Sequence, residues 1–175
     1  KEQPLQQATV GVGYSANTGP RLTFEHHHRQ VFGTRWTLNN ALELGPDKKL
    51  WTGELKSHPL EGLYRNLVAG SAERLRSTEE LRTSWSARIG RTQDTPRIER
   101  LYYLELAQAR VEAGRSIDDS QALSANYHWI WRDLDNALLP TEGQSLALQG
   151  AGGYARSSTD SNGPFGRAWG RLTLY

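Results

Sequence analysis

Glu80-Leu81-Arg82-Thr83-Ser84-Trp85-Ser86-Ala87-Arg88-Ile89-Gly90-Arg91 alternates in character. Its odd positions carry Leu81, Trp85, Ala87 and Ile89, and its even positions carry Glu80, Arg82, Ser84, Ser86 and Arg88. Side chains on a strand point to opposite faces in turn, so this spacing gives one apolar and one polar face. Residue preference argues for helices instead. Segments 71–90 and 98–114 are rich in Glu, Leu, Ala, Arg and Gln, and each ends at a glycine suited to a helix C-cap. Only four Ile and five Val are present, which is lean for strands. Periodicity decides. Wound as a helix, 98–113 scatters its apolar residues around the whole circumference. As a strand, it gathers Leu101, Tyr103, Ala107, Ala109, Val111 and Ala113 on one parity, broken only by Glu105.

The same alternation recurs outward from this segment. In 35–44 the even set is Trp36, Leu38, Asn40, Leu42 and Leu44, against Arg35, Thr37, Asn39, Ala41 and Glu43. In 121–131, Leu123, Ala125, Tyr127, Trp129 and Trp131 alternate with Ser124, Asn126 and His128. Turn signals separate such runs, among them Gly45-Pro46-Asp47, Asp94-Thr95-Pro96, Ala113-Gly114 and Ser161-Asn162-Gly163-Pro164. Ten strands are expected, over 8–15, 20–28, 34–45, 48–57, 64–76, 80–92, 99–113, 119–132, 144–157 and 165–175. Most have the ~9–11 residues a strand needs to cross a bilayer at a tilt. The expected fold is all-β, an antiparallel up-and-down transmembrane barrel fragment. Its polar parity faces an aqueous lumen and its apolar parity faces lipid. Trp36, Trp51, Trp129 and Trp131 fall near strand ends, as an interfacial aromatic belt requires, whereas Trp85 and Trp169 sit mid-strand.

Composition narrows the function classes. Among 175 residues, 21 Lys and Arg against 19 Asp and Glu leave a net charge of +2, too even for a nucleic-acid binder. No apolar run approaches the ~18 residues of a membrane helix. The absence of cysteine excludes disulfides and thiolate metal sites. There is no methionine, and Lys1-Glu2-Gln3-Pro4-Leu5 lacks signal-peptide character. Both facts lead to the expectation of a piece cut from a longer precursor, with 1–7 a linker and 8–175 a partial barrel.

Two stretches have more specific wording. Val10-Gly11-Val12-Gly13-Tyr14-Ser15, a short polar turn, Thr18-Gly19-Pro20-Arg21-Leu22, and Gly33 entering a long alternating strand resemble the opening of barrels of the TamA/BamA assembly superfamily. Asp135-Asn136-Ala137-Leu138-Leu139-Pro140-Thr141-Glu142-Gly143-Gln144 resembles the periplasmic Pro-x-x-Gly turn of those barrels, here Pro140 and Gly143. The Thr-Gly-Pro-Arg wording leans to the TamA branch. The resemblance implies a bacterial outer-membrane protein that assembles or inserts other outer-membrane proteins. It implies contact with outer-membrane lipid, nascent outer-membrane strands and an inner-membrane-anchored TamB-type partner, and no cofactor. It also implies sixteen strands, preceding POTRA domains and a lumenal Arg-Gly-Phe-type motif, none of which this sequence contains; about ten strands fit.

On that reading residues 9–15 form a gate strand. Gly11 and Gly13 take the lumen parity and have no side chains to pack, while Val10, Val12 and Tyr14 face lipid. A weak first strand lets the barrel seam open and template an incoming strand. The plain alternative is that these glycines only relieve crowding. Other constellations read more simply. His26 and His28 share a strand face ~6.8 Å apart, a spacing that suits a metal, but parity places them at a membrane interface. His128 with Asp133 and Asp135 invites comparison with omptin-type barrel proteases, without a companion pair. Glu79-Glu80 and Asp118-Asp119 read as solvated hairpin carboxylates. Arg21, Glu25, Arg35, Glu43, Glu54, Arg88, Arg110 and Glu112 read as a wetted lumen. A passive outer-membrane pore is the alternative function, and a soluble α+β domain the alternative fold. Spin labels at 85, 87 and 89 should contact lipid, and labels at 84, 86 and 88 should contact water. Equal solvent contact at all six would remove the alternation on which the barrel reading stands.

Overall fold

A computed structural model describes residues 4–15, 19–136 and 141–175. Ten antiparallel strands form one sheet in chain order: β1 (Gln6–Ser15), β2 (Gly19–His28), β3 (Thr37–Leu44), β4 (Lys48–Lys56), β5 (Tyr64–Arg76), β6 (Glu80–Asp94), β7 (Ile98–Ala113), β8 (Ser116–Leu134), β9 (Gly143–Ser157) and β10 (Gly163–Leu174). Every strand pairs with its sequence neighbours, and β1 does not pair with β10, so the sheet is an open up-and-down arc. The two helix-favouring segments are strands, so long-range pairing overrides their propensity. Gln6 and Gln7 belong to β1. Residues 34–36 lie outside β3, because a 3-10 turn at Val31–Gly33 intervenes, with Phe32 left-handed at φ 54°.

Among the described residues no second layer packs on the sheet. Among the described residues, Val31, Leu67 and Ala69 are the only buried apolar side chains. A soluble domain of this length buries a sizeable core. Instead the faces divide as β6 shows: Ser84, Ser86 and Arg88 are half-buried, while Trp85, Ala87 and Ile89 are exposed. With nothing stacked on either face, curvature supplies that difference. Bending crowds side chains on the concave, inner face and fans them apart on the convex, outer one. The polar parity is therefore inside and the apolar parity outside.

The apolar part of the outer face runs obliquely to the hydrogen-bonded rows. The row that begins Val12, Leu22 and Leu44 continues as Lys49, Arg74, Thr83, Arg110 and Asp119. The row that begins Gln6 and His28 continues as Leu38, Leu55, Val68, Ile89 and Leu104. An apolar belt that crosses rows this way is level only if the strands tilt, as closed barrels require.

Register corrects the parity expected for β7. Arg88 pairs with Glu105 and Ile89 with Leu104, so the odd set from Leu101 to Val111 is inner. The outer face of β7 is Tyr102, Leu104, Leu106 and Gln108. Glu105, which looked like a break in an apolar face, is an inner-face carboxylate opposite an arginine. Arg110 and Glu112 likewise leave the inner set. They sit on the outer face beside Asp119, 3.9 and 2.9 Å from their partners in an Arg110-centred network. Trp169 pairs with Gln149 on the inner face, outside the belt.

Two mid-strand inner-face glycines mark places of close backbone approach. A Cβ at Gly90 would lie 2.1 Å from Tyr102 O and 2.5 Å from Tyr103 Cβ. One at Gly153 would lie 2.3 Å from Leu123 O, with the Phe165 ring 2.9 Å away. At Gly153 the Phe165 ring lies over the bare glycine, and at Gly90 the backbone and Cβ of Tyr103 do; bare glycines at such positions let a sheet bend sharply. Gly90→Ala should destabilise the fold by roughly 1–3 kcal/mol through overpacking, read as a lower urea midpoint in detergent. Gly150→Ala, whose new methyl meets nothing within 4 Å, should leave the midpoint nearly unchanged.

Candidate functional site

The free edge of β1 is the most distinctive feature of the N-terminal half. Its ten residues pair with β2 from Gln6↔His28 to Ser15↔Gly19, and among the described residues no strand pairs on the other side. Val10, Val12 and Tyr14 stand on the outer face at 65, 84 and 80% exposure. Gly11 and Gly13 fall on the inner face opposite Thr23 and Arg21. The space over both glycines is used. Thr23 Oγ1 donates to Gly11 O at 3.3 Å and would meet a Cβ on Gly11 at 2.6 Å, and Arg21 Nε would meet one on Gly13 at 3.0 Å. These obstacles are ends of flexible side chains, unlike the backbone obstacle at Gly90. Gly11 and Gly13 thus let β2 side chains lie flat across β1, which sequence reasoning missed because that contact is cross-strand.

The turn before β9 is built around a carboxylate. Asp135 Oδ1 accepts from the amides of Thr141 and Glu142, both at 3.1 Å, and Oδ2 accepts from Thr141 Oγ1 at 2.7 Å. The Thr141 hydroxyl and the Glu142 amide together hold the Asp135 carboxyl at a pKa of about 2, below its usual 3.8. Gly143 opens β9 at φ 126°, where a Cβ would lie 2.1 Å from Asp133 O, so only glycine fits. Pro140 and residues 137–139 lie outside the described residues, as do 16–18 with Thr18.

On the inner face, charge meets charge. Glu54 contacts Lys56 at 2.8 Å and Arg88 at 3.9 Å, Glu43 contacts Lys48 at 3.4 Å, and Glu99 pairs with Arg132. Arg88 also lies over the Tyr103 ring at 5.7 Å. A groove of about 400 Å³ follows this face, lined in part by Ser71, Ser84, Ser86, Ala107, Ala109 and Ser120. Arg82, Trp85, Gln108 and Gln121 also line it, and its hydroxyls, amides and guanidinium suit water.

His26 and His28 sit on the outer face with ring centroids 6.1 Å apart, while His27 is inner and hydrogen-bonded to Asn39. Among the described residues, no group of three or more His, Cys, Asp or Glu side chains converges to hold a metal ion. His128 is inner, opposite Leu101, whereas Asp133 is outer, opposite Gln144. Asp135 is engaged in its turn. The protease comparison therefore finds no converging pair. No family model and no curated protein matches this chain.

The Asp135 clasp has a definite pH sign. Its folded pKa is depressed, so its contribution is complete above the unfolded value near 3.8 and fades as pH falls toward about 2. Amide exchange at Thr141 and Glu142, corrected for intrinsic pH dependence, should accelerate across that window. In Asp135→Ala both amides should exchange fast at every pH.

Proposed function

We propose that this chain forms the N-terminal wall of an outer-membrane barrel that assembles or inserts other outer-membrane proteins, with β1 as a lateral template. The observation that carries the reading is the open β1 edge joined to an inverted pair of faces, polar within and apolar without. A soluble sheet with that outer face would expose a continuous apolar surface and aggregate. Within a bilayer the same surface is solvated by hydrocarbon. Unpaired backbone groups in hydrocarbon each cost several kcal/mol. The β1 edge therefore stands under pressure to pair, either with the barrel's own closing strand or with an incoming one by β-augmentation.

The TamA/BamA-like wording of 10–22 and 135–144 supports this reading, and with it a Gram-negative outer-membrane location and a TamB-type partner for the full-length protein. A passive pore is the second reading, favoured by the water-suited groove on the inner face.

Gly11→Val and Gly13→Val should lower client assembly several-fold in cells, measured as surface-exposed client, with the variant's own insertion unchanged. Thr23→Ala combined with Gly11→Val separates two causes, because it removes the hydroxyl that the new side chain strikes. Recovery of assembly in the double variant would reduce Gly11 to a packing role. Continued impairment supports the gate. Normal assembly in both single variants would leave the pore reading standing.

A further inference from the structure

A patch of the outer face on β6 and β7 breaks its apolar character without any carboxylate to explain it. Arg91 follows Ile89 on the outer face of β6, and Arg100 lies on the adjacent strand β7, past Leu104 and Tyr102, toward the end of the belt. Their registered partners are Asn66, Tyr102, Gln93 and Trp129. Arg91 Nε donates to Asn66 Oδ1 at 2.8 Å, and its guanidinium lies 5.7 Å from the centre of the Tyr64 ring. Arg100 Nη1 donates to Tyr64 Oη at 3.1 Å. Tyr64 thus orients both guanidinium groups. Arg100 Nε is buried with no acceptor among the described residues. Gln93, across from it, turns its amide to Gly62 O at 2.7 Å and leaves its own Oε1 buried and unpartnered, so the two do not satisfy each other. Neither arginine forms an ion pair among the described residues, in contrast to Arg88, Arg110 and Arg132.

Two guanidinium groups held in place by Tyr64 and Asn66, with no carboxylate partner among the described residues and aromatic residues as register neighbours, describe an anion site at the rim of an apolar surface. Arginine forks match phosphate oxygens in geometry and charge. The apolar belt beside the pair would hold acyl chains. We infer that Arg91 and Arg100, framed by Tyr64, Asn66, Tyr102 and Trp129, bind the phosphate of an anionic membrane lipid. This site rests on the reading of the outer face as lipid-facing.

The test uses the protein reconstituted into vesicles with brominated acyl chains, which quench tryptophan fluorescence on contact; Trp129 sits beside Arg100. Brominated phosphatidylcholine and brominated phosphatidylglycerol should both quench, which reads the lipid face itself. Phosphatidylglycerol should be preferred, and Arg91→Gln or Arg100→Gln should each lower that preference roughly fivefold while phosphatidylcholine quenching stays constant. Arg91→Lys and Arg100→Lys keep the charge, should retain part of the preference, and give the readout if a Gln variant fails to insert. An equal loss in Arg74→Gln, on the far rim of the belt, would show a general charge effect and overturn the site. So would unchanged preference in both Gln variants. Loss of preference on adding inorganic phosphate would assign the anion to a free source and overturn the lipid. Absence of quenching by either lipid would remove the lipid-facing reading and the site with it, whereas a failed site alone leaves phosphatidylcholine quenching intact.

Discussion

A strand sends its side chains to two sides and its backbone bonds along the sheet, and here no further layer is available to either. Everything else follows from that. With no layer to pack against, a buried core is replaced by ladders of backbone hydrogen bonds and by two surfaces matched to two different surroundings. The apolar side chains that a soluble protein would hide are carried outward, and most of the ion pairs among the described residues lie on the concave side. Leu67 and Ala69, buried on that inner face, are exceptions that show how little apolar packing the fold uses. The ladders are satisfied at eight strands and half satisfied at β1 and β10.

Most of the strand pattern was legible, for a simple reason. Ten alternating runs separated by turn residues admit few topologies, and short turns force sequence neighbours to pair. Helix propensity in 71–90 and 98–114 misled only as preference. The period was right because side-chain direction is set by geometry, which composition does not alter. The failure at β7 has a physical origin. Both its parities are apolar: alanines and Tyr103 line the inner face, and Tyr102, Leu104 and Leu106 line the outer one. Counting apolar residues could not separate them, and the decisive residue was Glu105, whose carboxylate belongs opposite Arg88.

The candidate site was only partly readable. The inner parity of Gly11 and Gly13 follows directly from Val10, Val12 and Tyr14. What lies over them does not, because Thr23 and Arg21 reach across from β2 through a register that only pairing fixes. The Asp135 clasp had a sequence signal, an acidic residue just ahead of a Thr-Glu-Gly turn, but its strength depends on donors converging in space. The arginine pair beside Tyr64 had none. Arg91 and Arg100 are far apart along the chain from Tyr64, and they meet it only because three strands stand in one register.

The glycine and aromatic pairs at Gly90 with Tyr103 and at Gly153 with Phe165 have a mechanical meaning. If the sheet bends most sharply at these two bare glycines, the wall divides into stiffer panels. A panelled wall changes its girth by folding along its creases, much as a screen does, and leaves the panels flat. The crease at Gly153 lies one strand from the free edge of β10, so motion of that edge is hinged close by and need not be transmitted through the whole arc.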